Sequence, residues 1–234
     1  LSNKEICINA NELIVGERGP SPKATPTYPE ICTHSIRDFN ILDQREKISF
    51  SVNDESKKIQ ETDIIPFWQG RSLRDRIFCE LDEEWRSAYS AGIFTEFMEQ
   101  RAPGHTVMDG KIYQKGIKDF KNDIEKNIEQ LDFMNDPEAL SKREELRAMQ
   151  IVADALIIFA KRHAEKAEEL AVTEKDQNLK YDLELIRDIC NRVPENAPQT
   201  FHEALQYYWF VHLGIITELN TWDSFNPGRL DQHL

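Results

Sequence analysis

The feature that most constrains the fold is the run from Ala204 to Ile216, which is almost entirely apolar. It follows Thr200–Glu203, a capping box in which a threonine precedes a glutamate by three positions and so marks a helix start. A helix that is apolar on every side has to be buried, and this one is too short to cross a bilayer. The run therefore predicts a buried helix inside a larger body.

Amphipathic helices are predicted around that buried helix, because apolar residues recur at steps of three and four in the preceding sequence. Three such stripes run from Ile117 to Leu131, from Met149 to His163 and from Leu179 to Cys190. Ser141–Glu144 resembles a capping box that would begin the second helix. His163 lies on its stripe beside charged residues, which is typical of a packed or partly solvated structural histidine.

The N-terminal segment has a different pattern from these helices. Glu12–Gly16 is a short apolar run closed by a glycine, which predicts a strand. Four prolines between residues 17 and 30 exclude a helix or a central strand there, so we expect a loop packed on the body.

Short helices follow this loop. Ser51–Asp54 and Ser72–Asp75 resemble capping boxes, with Pro66 between the two helices that they would begin. Phe67 and Trp68 are expected to pack into the body. A further helix around Glu83 to Ala91 is predicted to end at Gly92.

Composition limits the function classes. The chain has 234 residues, 40% of them hydrophobic, and a formal net charge of −13. Such an acidic balance argues against a general binder of nucleic acids or anionic membranes, which relies on Lys and Arg. No membrane span or signal peptide is visible, and the four cysteines are far apart without a C-x-x-C pair, so we expect a cytoplasmic protein with reduced, structural thiols.

Two polar stretches are candidates for a pocket. Thr95–His105 contains an aromatic residue, carboxylates and an arginine, and Pro103-Gly104 is a bend that would present His105. It suits a pocket wall, although a capped helix end with a surface histidine fits the spacing equally well. Asp223 follows Trp222 and precedes a Pro-Gly turn, so it is either a pocket carboxylate or the residue that forms an Asx-turn. His202 and His212 are ten positions apart, which predicts no metal site.

Longer matches point to a known family. The segments that carry the resemblance are Glu12-Leu-Ile-Val-Gly-Glu17, Pro26-Thr-Tyr-Pro-Glu30, Thr95–His105, and Thr217–Asp223 with Pro227–Leu234. Together they resemble the N-terminal part of the glycyl radical enzymes, the pyruvate formate-lyase-like group. The spacing of Phe97 and His105 combined with Trp222-Asp223 is most similar to the branch that dehydrates trans-4-hydroxy-L-proline.

The resemblance implies an α/β fold, predominantly helical, in which residues 1–234 form the N-terminal part of one domain built on a ten-stranded barrel. It implies a lyase of anaerobic metabolism that acts on a small molecule, an amino acid or a polyol, and releases pyrroline-5-carboxylate in the hydroxyproline branch. Phe97 would form an apolar wall of the pocket, and His105 and Asp223 would bind the polar groups of the substrate and assist proton transfer. No bound cofactor or metal is implied. A glycyl radical, installed by an S-adenosylmethionine-dependent activating enzyme, and a homodimer are implied, without nucleic-acid or membrane partners.

The sequence departs from the family pattern at the reactive centre. It contains no Arg-Val-x-Gly-Tyr type motif, and none of Cys7, Cys32, Cys79 or Cys190 is followed two positions later by Glu. We therefore expect the glycine and cysteine loops to lie downstream in a longer parent protein, and these 234 residues alone to be inactive.

Two alternatives remain open from the sequence. One is another glycyl radical lyase, such as a diol dehydratase or a C–S or C–N lyase. The other is a helical scaffold without catalytic activity, which would fold cooperatively by itself, whereas both lyase hypotheses predict exposed apolar surface around Ala204–Ile216.

Overall fold

A computed structural model describes residues 5–19, 21, 23–24, 27–47, 49–93 and 108–219. The regular elements in these ranges are helices and helical turns, so the predominantly helical fold is confirmed. The same ranges contain no β-strand, and the ten-stranded barrel therefore stays a prediction from the resemblance. The chain divides into two units, Arg18–Pro103 and Leu1–Glu17 with Gly104–Leu234.

The described part of the unit Arg18–Pro103 contains short helices. They are α1 (Ile36–Gln44), α2 (Asp54–Ile59), a π-helical turn (Gln60–Ile64), α3 (Ile65–Trp68), α4 (Leu73–Glu80) and α5 (Glu83–Ser90). Ser72 caps α4 by accepting the Asp75 N–H at 3.1 Å, and Gly92 follows α5 with a φ of +71°, both as predicted.

Two predictions in this unit are wrong. Helix α2 begins after Asn53, whose side chain accepts the Ser56 N–H at 2.8 Å, so Ser51 is not its cap. Pro66 lies between α2 and α4, as predicted, in the first turn of α3 directly after the π-helical turn. The wider π turn suits a proline, whose ring crowds the preceding turn and which has no N–H to donate. Phe67 is 55% exposed and packs edge-on against Trp68 rather than into a core.

The second unit contains the long helices. After a 3₁₀ turn (Asp109–Tyr113) come α6 (Ile117–Glu129), α7 (Ala139–Thr173), α8 (Gln177–Arg192), α9 (Phe201–Gly214) and a π-helical turn (Ile215–Leu219). The three helices predicted from apolar stripes are therefore confirmed. None of the helices in the described ranges is long and apolar enough to cross a membrane.

Helix α7 differs from the prediction at its start. It begins after Glu138 without a side-chain cap, so Ser141–Glu144 lies inside the helix and is not a capping box. Its apolar stripe is buried at Leu156 and Phe159, whereas Met149 and Val152 on the preceding turns are 53% and 61% exposed. The stripe thus continues beyond the part of α7 that its neighbours cover.

Helix α9 lies at the centre of the unit. Phe210 and Leu213 pack in one core cluster with residues of α7 and α8, while Tyr207 and Val211 pack in a second cluster with Ile112 of the 3₁₀ turn. The predicted burial of this helix is confirmed. The expectation of exposed apolar surface around Ala204–Ile216 is wrong, because these clusters and the N-terminal segment cover most of the run.

His163 of α7 is a structural histidine, as predicted. It is 1% exposed, and its Nδ1–H donates to the Phe159 carbonyl oxygen at 2.8 Å. Its ring also packs edge-on against the Phe159 ring, with 4.6 Å between centroids.

Candidate functional site

A ladder of side chains on α9 binds the backbone of the segment Leu13–Gly16. His202 Nε2 donates to the Leu13 carbonyl at 2.6 Å, and Trp209 Nε1 donates to the Gly16 carbonyl at 2.8 Å. Between them, Gln206 accepts the Val15 N–H through Oε1 and donates to the Val15 carbonyl through Nε2, each at 2.8 Å. The three donors follow steps of four and three along α9, so they share one face of the helix.

This ladder replaces the strand that the sequence predicts over Glu12–Gly16. Both backbone groups of Val15 are paired as they would be in a sheet, but their partner is one amide side chain. Val15 is 0% exposed and Gln206 is 1% exposed. An unpaired buried backbone group costs roughly 1–3 kcal/mol, so an apolar residue in place of Gln206 would leave two such groups in the core.

Gly16 fits the ladder because it has no side chain. Its φ is +120°, and a Cβ at this position would lie 2.6 Å from Leu213 Cδ1. Leu213 is 0% exposed, so it has little room to move away. Only glycine adopts this backbone conformation at low cost, and the segment therefore lies directly against α9 at this point.

The far end of α9 continues into a π-helical turn. Thr217 Oγ1 donates to the Leu213 carbonyl at 2.5 Å, one turn after the residue that contacts Gly16. His212 stacks on the Trp209 ring, with 5.2 Å between centroids. Single π turns in longer helices are frequent at functional sites, since they redirect the residues that follow.

The 3₁₀ turn also packs on α9. Ile112 is 0% exposed in the cluster that contains Tyr207 and Val211, and Met108 packs against the same cluster. Burial, with the charge of Asp119 as a smaller contribution, raises the pKa of Tyr207. The hydroxyl of Tyr207 has no hydrogen-bond partner in the part of the chain that the structure describes.

The predicted site residues Phe97, His105 and Asp223 lie outside the described residues. The described chain resumes at Met108, two residues after Thr106, and it ends at Leu219, before Asp223. Both of these flanks adjoin elements that pack on α9 or continue it. The roles of the three residues therefore stay predictions.

The cysteines have no catalytic setting among the described residues. No disulfide bond joins any of the four, all of which lie in the described ranges, and Cys190 is buried, which raises the pKa of its thiol. In the ranges that the structure covers, no group of three or more His, Cys, Asp and Glu side chains is arranged to hold a metal ion.

Comparison with known proteins decides the family. The profile of the family "Pyruvate formate lyase-like" matches residues 1–234. The chain belongs to the pyruvate formate lyase-like family. The resemblance inferred from the short motifs is thereby confirmed.

Individual curated proteins are also similar to the chain. Trans-4-hydroxy-L-proline dehydratase from Clostridioides difficile is 53% identical over 234 residues, which is 100% of this chain and 30% of the dehydratase. Isethionate sulfite-lyase from Nitratidesulfovibrio vulgaris is 32% identical over 244 residues, covering 99% of this chain and 29% of the lyase.

A solved structure is also similar to this chain. The crystal structure of the Clostridioides difficile hydroxyproline dehydratase, with trans-4-hydroxy-L-proline bound, matches with a TM-score of 0.78 and 53% identity, covering 99% of this chain and 29% of that one. The chain thus spans less than a third of the length of these relatives.

The sequence reading missed the ladder of His202, Gln206 and Trp209. One signal was present, since Gln206 is an amide inside an otherwise apolar run. A buried amide needs hydrogen-bond partners, but nothing in the sequence assigns them to Val15, which lies 191 positions away.

Proposed function

We propose that this chain is the N-terminal part of a glycyl radical lyase that dehydrates trans-4-hydroxy-L-proline to pyrroline-5-carboxylate and water. The observation that carries the proposal is the 53% identity to the Clostridioides difficile dehydratase over the whole chain. The 32% identity to a sulfite-lyase of the same family is much lower. This difference favours the hydroxyproline branch over a C–S lyase.

The parent protein would supply the radical chemistry from segments beyond this chain. When present, the glycyl radical and a cysteine thiyl radical would remove a hydrogen atom from the substrate and return one after water has left. The ten-stranded barrel, the activating enzyme that uses S-adenosylmethionine, a homodimer and a cytoplasmic location belong to the same proposal. These 234 residues alone are expected to be inactive.

The residues of this chain would prepare the substrate. We assign Phe97 to an apolar wall, and His105 and Asp223 to the polar groups of the substrate, where an acceptor holds the ring nitrogen and a proton is transferred as the hydroxyl group leaves. The hydroxyl group leaves far more readily when a positioned acid protonates it, because it then departs as water, an effect typically worth about 10²–10⁴-fold. Exclusion of water would strengthen these contacts and protect the radical.

Chain length is consistent with one pocket for His105 and Asp223. Three peptide links join His105 to Met108 and four join Leu219 to Asp223, and each link spans at most about 3.6 Å, so the chain is long enough for both residues to reach one pocket.

The test uses the full-length protein, activated without oxygen. Wild type is expected to convert hydroxyproline faster than isethionate or glycerol, and His105→Ala is expected to lose at least about 100-fold in kcat/KM. His34→Ala makes the same chemical change in a half-buried histidine of the other unit and should retain activity. Preference for isethionate or glycerol, or full activity of His105→Ala, would show that the assignment is wrong.

A further inference from the structure

Gln206 is an unusual side chain for its position. It is the one amide in the run Ala204–Ile216, and it is 1% exposed between two apolar clusters. Its two hydrogen bonds go to opposite backbone groups of a single residue, Val15. They therefore fix both the distance and the register of the N-terminal segment on α9.

A continuous set of contacts leads from Gln206 to the end of α9. Val15 precedes Gly16, whose α-carbon lies directly against Leu213 and whose carbonyl accepts the Trp209 N–H. The Leu213 carbonyl in turn accepts the Thr217 hydroxyl in the π-helical turn. A shift of Val15 would move Gly16 relative to Leu213 and so disturb the start of the π turn.

From these contacts, and on the basis of the proposed function, we propose that Gln206 is a positioning residue of the lyase. It holds Leu13–Gly16 against α9 and thereby sets the last turn of α9, from which the chain continues to Asp223. Gln206 does not touch the substrate in this account. It acts through Gly16, Leu213 and the π turn.

The substitution Gln206→Glu tests the idea because it changes one atom. A protonated carboxylic acid keeps one acceptor and one donor in the shape of the amide, whereas a carboxylate has no donor for the Val15 carbonyl. Burial among apolar residues raises the pKa of a carboxyl group. The variant therefore carries the intact pair of hydrogen bonds only at pH values below this raised pKa.

We expect the activated full-length Gln206→Glu protein to lose at least about tenfold in kcat at pH ~8 and to recover most of it as the pH falls, since small misplacements in an active site are costly. Gln177→Glu is the matched control, because Gln177 is exposed in the first turn of α8, and it should follow the wild-type pH profile. Assays are run well below the thermal midpoint of each protein at each pH. Under that condition a merely structural role predicts unchanged kcat.

A second measurement does not depend on turnover. Hydrogen exchange of the peptide Ile215–Asp223 in the full-length protein should be faster in Gln206→Glu at high pH than in Gln177→Glu. If wild type does not dehydrate hydroxyproline, the proposed function fails, while the exchange comparison still tests the positioning role.

A pH-independent kcat together with unchanged exchange would overturn the inference. If Gln206→Glu does not fold, Trp209→Phe replaces it in both measurements. This variant removes the donor to Gly16 together with part of the ring that stacks on His212, and it should lower kcat and speed the exchange at every pH.

Discussion

Replacement of Gly16 by alanine tests the closest contact in the ladder. The added Cβ would lie 2.6 Å from Leu213 Cδ1, and the backbone has a φ of +120° that side chains rarely adopt. The backbone strain costs roughly 1–2 kcal/mol. Crowding in a packed core adds typically about 1–3 kcal/mol. We expect Gly16→Ala to lower the free energy of unfolding by about 3 kcal/mol, which corresponds to a fall of roughly 6–12 °C in Tm for a chain of this size.

Gly70→Ala is the matched control for this experiment. Gly70 also has a positive φ, +73°, but a Cβ there would have no neighbour within 4 Å. Only the backbone strain of about 1–2 kcal/mol should remain. Urea unfolding followed by far-UV circular dichroism measures both variants. If Gly16→Ala costs no more than Gly70→Ala, the segment does not lie against Leu213 as described, and the ladder is wrong.

Two further predictions concern a helix cap and an ion pair. Thr200→Ala removes the side chain that accepts the Glu203 N–H at 3.1 Å and should cost about 1 kcal/mol in unfolding free energy, whereas Ser141→Ala should be neutral because Ser141 caps no helix. Equal losses in the two variants would contradict the observed helix starts. The Lys142 ammonium, with the Glu138 N–H, lowers the pKa of Asp136, so this contact stabilises the fold above the ordinary aspartate pKa of about 3.9 and is lost as the pH falls through the lowered value. In an NMR titration, the pKa of Asp136 should rise towards its ordinary value in Lys142→Met, and an unchanged pKa would contradict the ion pair.

The helices could be predicted because their signal is local. The apolar stripes of α6, α7 and α8 lie within each helix, and the burial of α9 follows from its composition alone. Helix starts are harder to predict, because several neighbouring side chains can accept a hydrogen bond from the first turn of a helix. Asn53 caps α2 instead of Ser51, and α7 begins before Ser141 without any side-chain cap.

The N-terminal segment could not be predicted, because its partners are distant in sequence. Leu-Ile-Val-Gly has the pattern of a strand, and its backbone groups are indeed paired. The partner is a helix side chain 191 positions away, and periodicity contains no information about such a pair. The positive φ of Gly16 likewise depends on Leu213.

The candidate site was reached by resemblance rather than by spacing. By spacing alone, His105 could equally be a pocket residue or a surface histidine. Asp223 could equally be a pocket carboxylate or the residue that forms an Asx-turn. The family match covers residues 1–234 and establishes the family. The roles of individual residues depend on chemistry in the whole parent protein. The ladder on α9 holds Leu13–Gly16 against this helix, and the positioning role proposed for Gln206 rests on it.

The most direct test of the central claim is turnover by the full-length parent protein. The protein is incubated without oxygen with its activating enzyme, S-adenosylmethionine and trans-4-hydroxy-L-proline, and pyrroline-5-carboxylate is measured beside the electron paramagnetic resonance spectrum. The account predicts a glycyl radical signal and formation of this product by the parent, and neither by residues 1–234 alone. A radical signal without dehydration of hydroxyproline, or a radical on residues 1–234 alone, would contradict it.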